Sequence, residues 1–505
     1  MSLEALNDLA DVLSAADLHE LVESQEAEYE VSTNNLNVNF SKQLLTNEAW
    51  NTLLNFAKEK QLKQKIHALL SGEIVNPTEG RAALHTALRE PKDSGFSQTD
   101  KRVAVHAELK KLEEWVEKLQ QGSCLGSTGK VITDVVYFGV GGSNLGPEFV
   151  IDSLAEFETQ SLSVPKVHFV SCMDGIQLLR VLKQLNAEQT LMVICSKSFG
   201  TKDTLLNAQT MLQWFTKELN SDTAALESHT LGISSNPERM SGFGIPKDKQ
   251  LLLWGWVGGR FSFWSTVGFP IALRLGMQNF RELLAGGHAM DQHFANTELE
   301  NNIPVVLGLL SYWNSSFLKL KRNMVLPYDA RLKLLAEYLA QLHMESLGKQ
   351  VTLQEEFVEQ STGSMLWGGI GTNSQHSFYQ LLHQGTEPFY ADFVLVEKEP
   401  DYSNYSNEVK KCFSQQYQYA HANCYAQSDL MAFGQEDANP NRCYPGNHPS
   451  VMIKLKELTP FTLGQLVALY EHRTYVNAVM LDINAFDQFG VEQGKLMAEE
   501  YFHKM

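Results

Sequence analysis

The sequence predicts an α/β fold built from parallel sheets flanked by helices. Short apolar runs alternate with amphipathic helical segments along most of the 505 residues, and this alternation is typical of parallel sheets whose connecting helices cover both faces. The first alternating segment contains predicted strands at 131–138, 167–170, 191–195 and 251–254. A second alternating segment follows, so the sequence predicts two successive sheet domains of similar size.

The elements of the second segment are apolar or periodic stretches at 304–310, 323–328, 332–346, 391–396 and 463–482. Before the first sheet, residues 1–30 are acidic and helical in pattern, 76–89 carry apolar residues at helical spacing, and 98–121 predict a long charged helix. A small polar linker, 122–129, leads into the first strand. We therefore expect an N-terminal helical segment, 1–120, a first domain, 121–285, and a second, larger domain, 286–505.

Composition excludes several kinds of partner. The chain has 41 basic and 59 acidic residues, a formal net charge of −18, which disfavours broad contact with nucleic acid or with an anionic membrane. We found neither an 18-residue apolar run nor a secretion signal, and the six cysteines show no metal-binding spacing. The sequence therefore predicts a cytoplasmic protein with reduced thiols, in which an anionic ligand needs a local positive site.

The stretch FGVGGSNLGP, residues 138–147, reads as a strand end, a glycine loop and a helix start. Glycines let the backbone approach a ligand, and the free N–H groups of a helix N-terminus favour an anion, so phosphate is the expected ligand. A dinucleotide-binding fingerprint would need glycine at Asn144, and a Walker loop would need lysine at Pro147. A tight turn without a ligand remains open for this loop alone.

A second loop supports the phosphate interpretation. The predicted strand 191–195 runs into SKSFGTKDT, which places the hydroxyls of Ser196, Ser198, Thr201 and Thr204 before a helix. Capping a helix needs one hydroxyl, whereas a phosphate accepts several hydrogen bonds. Two such loops in one predicted sheet favour an anion site over simple turns.

Later in the chain, four charged or titratable residues stand in patterns that are compatible with catalysis. Arg260 follows a glycine pair, and Glu345 ends the apolar helical stripe of Leu335, Tyr338 and Leu342, one turn after Gln341. His376 begins a glycine-led helix entry, and Lys495 opens the last helix. Taken singly, each has an ordinary structural explanation, such as an ion pair, a helix-end carboxylate or a core histidine.

Taken together, these blocks resemble the phosphoglucose isomerase family. The resemblance covers about residues 76–495 and rests on blocks that occur in the same order: TEGRAALH, FGVGGSNLGP, SKSFGTKDT, VGGRFSFWS, QLHMES–GK, GTNSQHSFYQLLHQGT and INAFDQFGVEQGK. It implies two sugar-isomerase-type domains, each a mainly parallel sheet flanked by helices, with helical N- and C-terminal extensions. It also implies a homodimer whose sites are completed across subunits.

The resemblance implies reversible isomerisation of glucose 6-phosphate to fructose 6-phosphate through ring opening and a cis-enediol, in glycolysis and gluconeogenesis, without metal or cofactor. Glu345 matches the catalytic base, Arg260 the enediol-stabilising arginine, and His376 the ring-opening histidine, which acts with Lys495. Asp203 matches the acidic partner of that histidine. The implied substrate-binding positions are Gly142, Ser143, Ser196, Lys197, Ser198, Thr201, Gln341 and Gln488, with Thr204 less securely matched.

Four positions depart from the family pattern. Asp203 stands where glutamate is usual, Gly200 replaces threonine, Leu347 replaces asparagine and Ile370 replaces proline. None removes a proposed catalytic group. Two alternatives stay open: a non-catalytic sugar-phosphate sensor built on the same domains, and an isomerase that also accepts mannose 6-phosphate.

Overall fold

The computed structural model describes residues 2–25, 29–159 and 164–505 of the chain. The strands, numbered in chain order, are β1 Glu30–Ser32, β2 Leu36–Asn39, β3 Asp134–Phe138, β4 Lys166–Val170, β5 Thr190–Cys195, β6 Thr230–Ser234, β7 Gln250–Leu252, β8 Arg322–Pro327, β9 Met365–Gly368, β10 Tyr390–Val396 and β11 Ser450–Leu455.

The helices are α1 Ser2–Leu13, α2 Leu18–Glu23, α3 Asn47–Glu59, α4 Leu62–Ser71, α5 Thr99–Gln120, α6 Leu145–Ser153, α7 Ile176–Leu182, α8 Lys202–Leu219, α9 Asp222–His229, α10 Pro237–Phe243, α11 Phe269–Asn296, α12 Ile303–Tyr312, α13 Leu335–Ala340, α14 Gly371–Ser374, α15 Tyr379–Gln384, α16 Asn407–Phe433, α17 Pro460–Met480 and α18 Glu492–Lys504. The predicted helical N-terminal segment, 1–30, corresponds to α1 and α2, while its residues 1 and 26–28 lie outside the described ranges.

The first sheet contains five parallel strands in the order β4-β3-β5-β6-β7. The sequence TLMVIC of β5 is buried along its whole length, as expected for a strand that is covered by helices on both faces. The four strands predicted in this region are confirmed, with bounds shifted by a few residues. The additional strand β6, TLGIS, was not predicted.

The second sheet has the order β1-β2-β11-β10-β8-β9. Strands β11, β10, β8 and β9 are parallel, whereas the hairpin β1–β2 adds two antiparallel strands at the edge. When the parallel strands of each sheet are numbered in chain order, the first four have the spatial order 2-1-3-4 in both sheets. The predicted α/β class with two mainly parallel sheets is therefore confirmed, and the N-terminal hairpin is an unpredicted extension of the second sheet.

The long helix α17 lies at the centre of the packing and contacts α11 and α12. Almost every one of its residues is buried, including the charged residues Glu471 and Arg473. The Glu471 carboxylate accepts a hydrogen bond from Arg89, whose guanidinium also binds Asp291 of α11 through two nitrogens. Because removing one partner leaves a buried charge uncompensated, this cluster ties the N-terminal region to both helices.

The prediction of a helix over residues 76–89 is wrong. Only the short 3₁₀ turns Pro77–Glu79 and His85–Leu88 form there. Gly80 between them has a φ of 61°, and the Leu84 N–H donates to the Trp256 carbonyl instead of to a helical neighbour. The apolar side chains of the segment are nonetheless buried, so it packs into the core without forming a helix.

The order of the first sheet creates a crevice at the carboxyl ends of β3 and β5. These strands are neighbours, with Phe138 opposite Ile194, yet the chain proceeds from β3 towards β4 on one side and later from β5 towards β6 on the other. Ligands of open parallel sheets bind at such a switch point. The glycine loop follows β3 and the hydroxyl-rich loop follows β5, so the fold brings both predicted phosphate loops to this place.

Candidate active site

The glycine loop after β3 packs tightly against a second glycine turn. Gly141 has a φ of 56°, which side chains rarely allow, and a Cβ at Gly142 would overlap the carbonyl of Gly259. This close approach places the loop beside the backbone N–H of Arg260. The Ser143 side chain hydrogen-bonds with the Cys195 thiol at the end of β5.

The hydroxyl-rich loop turns sharply between β5 and α8. Ser196 Oγ and Thr201 Oγ1 are 3.0 Å apart, and Phe199 between them adopts a φ of 47°. Ser198 is exposed, and its carbonyl accepts a hydrogen bond of 3.1 Å from Arg239. By contrast, Thr204 is buried.

Lys197 supplies positive charge to this crevice. Burial, together with the nearby guanidinium of Arg81, lowers the pKa of Lys197 to about 8. Arg260 contributes in the same direction, so three cations lie near one another, and the Glu79 carboxylate paired with Arg81 balances only part of this charge. Because the chain is acidic, the sequence analysis predicts a local positive site for any anionic ligand. Arg81 lies in the TEGRAALH block but was not predicted as a site residue.

Arg260 and Glu345 form the central contact of the site. Arg260 is 2% exposed, and its Nη1 lies 3.0 Å from Glu345 Oε1. Gln341 Nε2 donates to the other carboxylate oxygen at 2.9 Å. Burial lowers the pKa of Arg260, while the Glu345 carboxylate opposes that shift.

A π-helical turn, Gln341–Glu345, extends α13 and presents both side chains on one side. The predicted apolar stripe behind them is confirmed, because Leu335, Tyr338 and Leu342 are buried. Within the turn, His343 points into the core, where Nε2 lies 3.1 Å from Ser364 Oγ. Such π-helical turns are frequent at functional sites, and here the turn orients Glu345 towards Arg260.

The remaining donors of Arg260 are directed to two further segments. Nε donates to Ser346 Oγ at 2.7 Å, Nη2 donates to the Ala485 carbonyl, and Nη1 lies 3.3 Å from Gln488 Oε1. The predicted residue Gln488 therefore joins Arg260, Glu345 and Gln341 in one connected set. A guanidinium fixed on several sides presents its charge to a ligand in one orientation.

A cavity of about 760 Å³ adjoins this set. Glu345 and Gln488 line it together with Lys349, Asp487 and Thr78, which the sequence analysis did not identify as site residues. Lys349 belongs to the block that contains Glu345, and Asp487 precedes Gln488, so both lay beside predicted residues. Lys349 and Asp487 reach the site through contacts between distant segments of the chain. No periodic pattern in the sequence predicts such contacts.

Three predicted residues do not join this set within the chain. His376 is exposed in the turn between α14 and α15, Lys495 is exposed on α18, and Asp203 lies in the first turn of α8. Within the described residues, none of the three forms a hydrogen bond or ion pair with Glu345 or Arg260, and Asp203 does not contact His376. Helix α18 is connected to the hydroxyl-rich loop region by the Lys202–Glu499 ion pair of 2.9 Å.

The structure gives each remaining departure from the family pattern a location. Leu347 is buried in the core behind the site, and Ile370 precedes α14 with a φ of −55°, close to the value that proline imposes. A Cβ at Gly200 would come within 2.7 Å of Arg239 Nη1. Thus Leu347 and Ile370 fit the fold, while Gly200 leaves room for Arg239 over the loop.

All six cysteines, which lie within the described ranges, are unpaired. In those ranges no group of three or more histidine, cysteine or acidic side chains is arranged to hold a metal ion. None of the described helices combines the length and apolar character needed to cross a bilayer.

Comparison with known proteins gives a consistent result. The family model described as phosphoglucose isomerase matches residues 39–505. A glucose-6-phosphate isomerase of Acinetobacter baumannii strain AB0057 is 47% identical over 483 residues, which cover 94% of this chain and 86% of that protein. One from Psychrobacter cryohalolentis is 47% identical over 488 residues, with coverage of 93% and 86%.

Solved structures agree with the sequence relatives. The crystal structure of a glucose-6-phosphate isomerase from Chlamydia trachomatis superimposes with a TM-score of 0.85 and 28% identity, covering all of this chain and 95% of that chain. A hypothetical protein from Thermus thermophilus shares the fold, with a TM-score of 0.67, 22% identity and coverage of 89% and 96%. The predicted pair of sugar-isomerase-type domains is therefore confirmed as the fold class, while the exact domain boundaries stay a prediction.

Proposed function

The chain belongs to the phosphoglucose isomerase family, and from this membership we propose that it interconverts glucose 6-phosphate and fructose 6-phosphate. The observation that carries the proposal is the contact between Arg260 and Glu345 beside the glycine loop. An isomerase of this type needs a base and a fixed cation next to the reacting carbons, with an anion site further away. The pathway context of the proposal is glycolysis and gluconeogenesis.

In the proposed reaction, the phosphate binds at the switch point between β3 and β5. Backbone N–H groups of the glycine loop, including Gly142, and the hydroxyls of Ser143, Ser196, Ser198 and Thr201 donate to its oxygens, and Lys197 supplies charge. Support comes from the adjacency of the two loops and from the cluster of cations. The anchored phosphate directs the sugar towards Arg260 and Glu345.

The sugar enters mainly as a closed ring, which must open before its carbonyl can move. In the proposal, His376 and Lys495 act as the acid–base pair that shifts a proton from the anomeric hydroxyl to the ring oxygen, and Asp203 orients His376. Neither His376 nor Lys495 contacts Glu345 in the single chain. We therefore propose a homodimer in which His376 reaches the site of the other subunit.

After ring opening, Glu345 removes the C2 proton of the aldose, and the carbonyl oxygen at C1 takes up a proton to give a cis-enediol. The same carboxyl then returns its proton to C1 while the C2 oxygen loses its proton, which yields the ketose. Arg260 stabilises the negative charge that develops on these oxygens. Gln341 and Gln488 orient the carboxylate and the guanidinium.

A coupled assay tests the proposal directly. The purified chain is incubated separately with the 6-phosphates of glucose, fructose and mannose, and each possible product is measured with a specific dehydrogenase. Interconversion of glucose and fructose 6-phosphates is the expected result, while turnover of mannose 6-phosphate would identify a broader isomerase. Binding of these sugars without any turnover would contradict the proposal and favour a sensor.

The cytoplasmic location, the homodimer and the absence of nucleic-acid and membrane partners are predictions that accompany this function. Light scattering coupled to size-exclusion chromatography measures the mass in solution, and a mass near twice that of the 56.8 kDa chain is expected. A mass equal to one chain would contradict the proposed sharing of His376.

A further inference from the structure

Lys349 is a largely buried cation that the proposed reaction leaves without a role. It lies four residues after Glu345, and its side chain is 13% exposed. Its ammonium donates to the carbonyl oxygen of Asp487 and, at 2.8 Å, to Asp487 Oδ1. Its own carbonyl accepts a hydrogen bond from Thr362 Oγ1. Lys349 is thus fixed at both ends, with its charge directed at one residue.

Asp487 is held by two further donors, one from the N-terminal region and one from its own segment. Its Oδ2 accepts from Thr78 Oγ1 at 2.7 Å and from Asn484 Nδ2 at 2.9 Å, and Asn484 Nδ2 also bonds to Asn76 Oδ1. The Asn484 side chain in turn accepts from the Phe486 N–H. Residues 484–488 are therefore shaped by a polar network in which Lys349 forms an ion pair with the Asp487 carboxylate.

This same segment orients Arg260. The guanidinium donates to the Ala485 carbonyl and lies 3.4 Å from the Asp487 carbonyl, which Lys349 also binds. Gln488 Oε1 adds a further acceptor. Arg260 and Lys349 therefore both connect the segment after the Glu345 turn to residues 484–488. Arg260 does so by also donating to Ser346. Lys349, which belongs to that segment, does so through its ammonium group.

We propose that Lys349 is a positioning residue for the isomerisation, because its ion pair with Asp487 fixes the carbonyls and the Gln488 side chain that orient Arg260. This inference rests on the proposed function and adds to it a residue that does not touch the substrate. Both oxygens that Lys349 binds belong to Asp487, so two of its three N–H donors are directed at the protein. Its effect therefore passes through Arg260.

The first test replaces Lys349 by methionine, which has a similar length and no charge. We expect kcat for glucose 6-phosphate to fall by about 10- to 100-fold, as small misplacements of catalytic groups do, while KM changes by less than about threefold because the phosphate site is separate. Lys349→Arg, which keeps the charge, should recover part of the lost kcat. Lys398→Met, which breaks the exposed Lys398–Glu457 pair, is the matched control and should leave kcat unchanged.

A double-mutant cycle separates positioning from a general loss of stability. In an Arg260→Lys background, Lys349→Met should cost less than about threefold further, because the two residues act as one unit. Full additivity of the two losses, or an unchanged kcat in Lys349→Met, would overturn the inference.

Should Lys349→Met fail to fold, Asp487→Asn provides the same cycle from the other side of the pair. A wild-type chain without isomerase activity would overturn the proposed function and this inference together, whereas failure of the cycle alone leaves the function intact.

Discussion

Glu345 and Arg260 pair with each other in the structure, so the proposed base lies beside the proposed enediol-stabilising cation. The side chain of Glu345 is 24% exposed towards the cavity, while that of Arg260 is 1% exposed. The carboxylate therefore faces the cavity, and the guanidinium is fixed directly beside it. A preorganised pair of this kind needs little rearrangement during proton transfer.

Replacing Glu345 by glutamine should remove the base while keeping the shape of its side chain. We expect isomerisation to fall by about 10³-fold or more, because a general base contributes about 10²- to 10⁴-fold. Exchange of the C2 proton with deuterated solvent, followed by NMR, should disappear as well. Calorimetric titration with fructose 6-phosphate should still show binding, since the phosphate loops are intact. Normal turnover in this variant would contradict the assignment of the base.

Lys197 gives the site a pH dependence. Because its pKa is lowered to about 8, the free protein loses this charge as the pH rises through that value, and attraction for the phosphate weakens. We expect kcat/KM, which reports on the free enzyme, to decline above about pH 8. Lys197→Arg, which stays charged, should move this decline to higher pH. An identical alkaline profile in both proteins would exclude Lys197 as its origin.

At the level of single residues, the sequence predicted those that stand beside glycines or end an apolar stripe, namely Ser143, Arg260 and Glu345. In the structure Arg260 and Glu345 contact each other, while the catalytic roles of all three residues stay predictions. Lys349 and Asp487 were missed because their pairing depends on segments far apart in the chain. No local pattern encodes such a pair.

Among the elements, the two glycine turns at 139–143 and 258–260 have the tightest mutual fit in the site. Gly142→Ala would place a methyl group against the Gly259 carbonyl, and the backbone would have to move. Because Arg260 follows directly, we expect kcat/KM to fall by about 10²-fold. Gly242→Ala in α10, where an added Cβ meets no atom within 4 Å, should retain full activity. Equal activity of the two variants would contradict this account of the contact.

Elements with a strong internal pattern were predictable, and elements defined by distant partners were not. The apolar runs of β5 and β10 were recognised because both are buried strands of considerable length. The short β9 alternates buried and exposed residues over only four positions, and β2 obtains its partner β11 from the other end of the chain. The helix predicted at 76–89 failed because the backbone bonds to Trp256 instead.

For the molecule as a whole, neutral histidines that are buried or partly buried make stability depend on pH. Burial lowers the pKa of His293 to about 4, of His343 to about 3 and of His448 to about 4, from an ordinary value of 6.5. The unfolded chain therefore takes up protons first, and stability is lost as the pH falls from about 6.5 towards 4. The loss is at most about 1.4 kcal/mol per histidine for each pH unit.

Urea unfolding at pH 7.5, 6.5 and 5.5 measures this loss, with a falling midpoint as the expected result. His448→Asn, which removes one titrating group, should show a shallower decline than the wild type. A midpoint that stays constant over this range would show that the histidines do not contribute.

A mixing experiment tests the proposed assembly. Glu345→Gln and His376→Ala chains should each be inactive alone on ring-closed glucose 6-phosphate. If His376 acts in the other subunit, unfolding and refolding an equal mixture restores about a quarter of wild-type activity, because half of the twofold dimers are mixed and each has one intact site. No recovery would show that His376 acts within its own chain.

The pairing of β2 with β11 also bears on how the chain is made. The first sheet uses strands from one continuous stretch of the chain, so its contacts become available during synthesis, in keeping with the tendency of domains to fold as units. The hairpin of residues 30–39, in contrast, leaves the ribosome early and waits for Ser450–Leu455, whose synthesis comes near the end. Until then its strand edge is open to pairing with other chains. The hairpin is thus made early and is among the last strands to be protected.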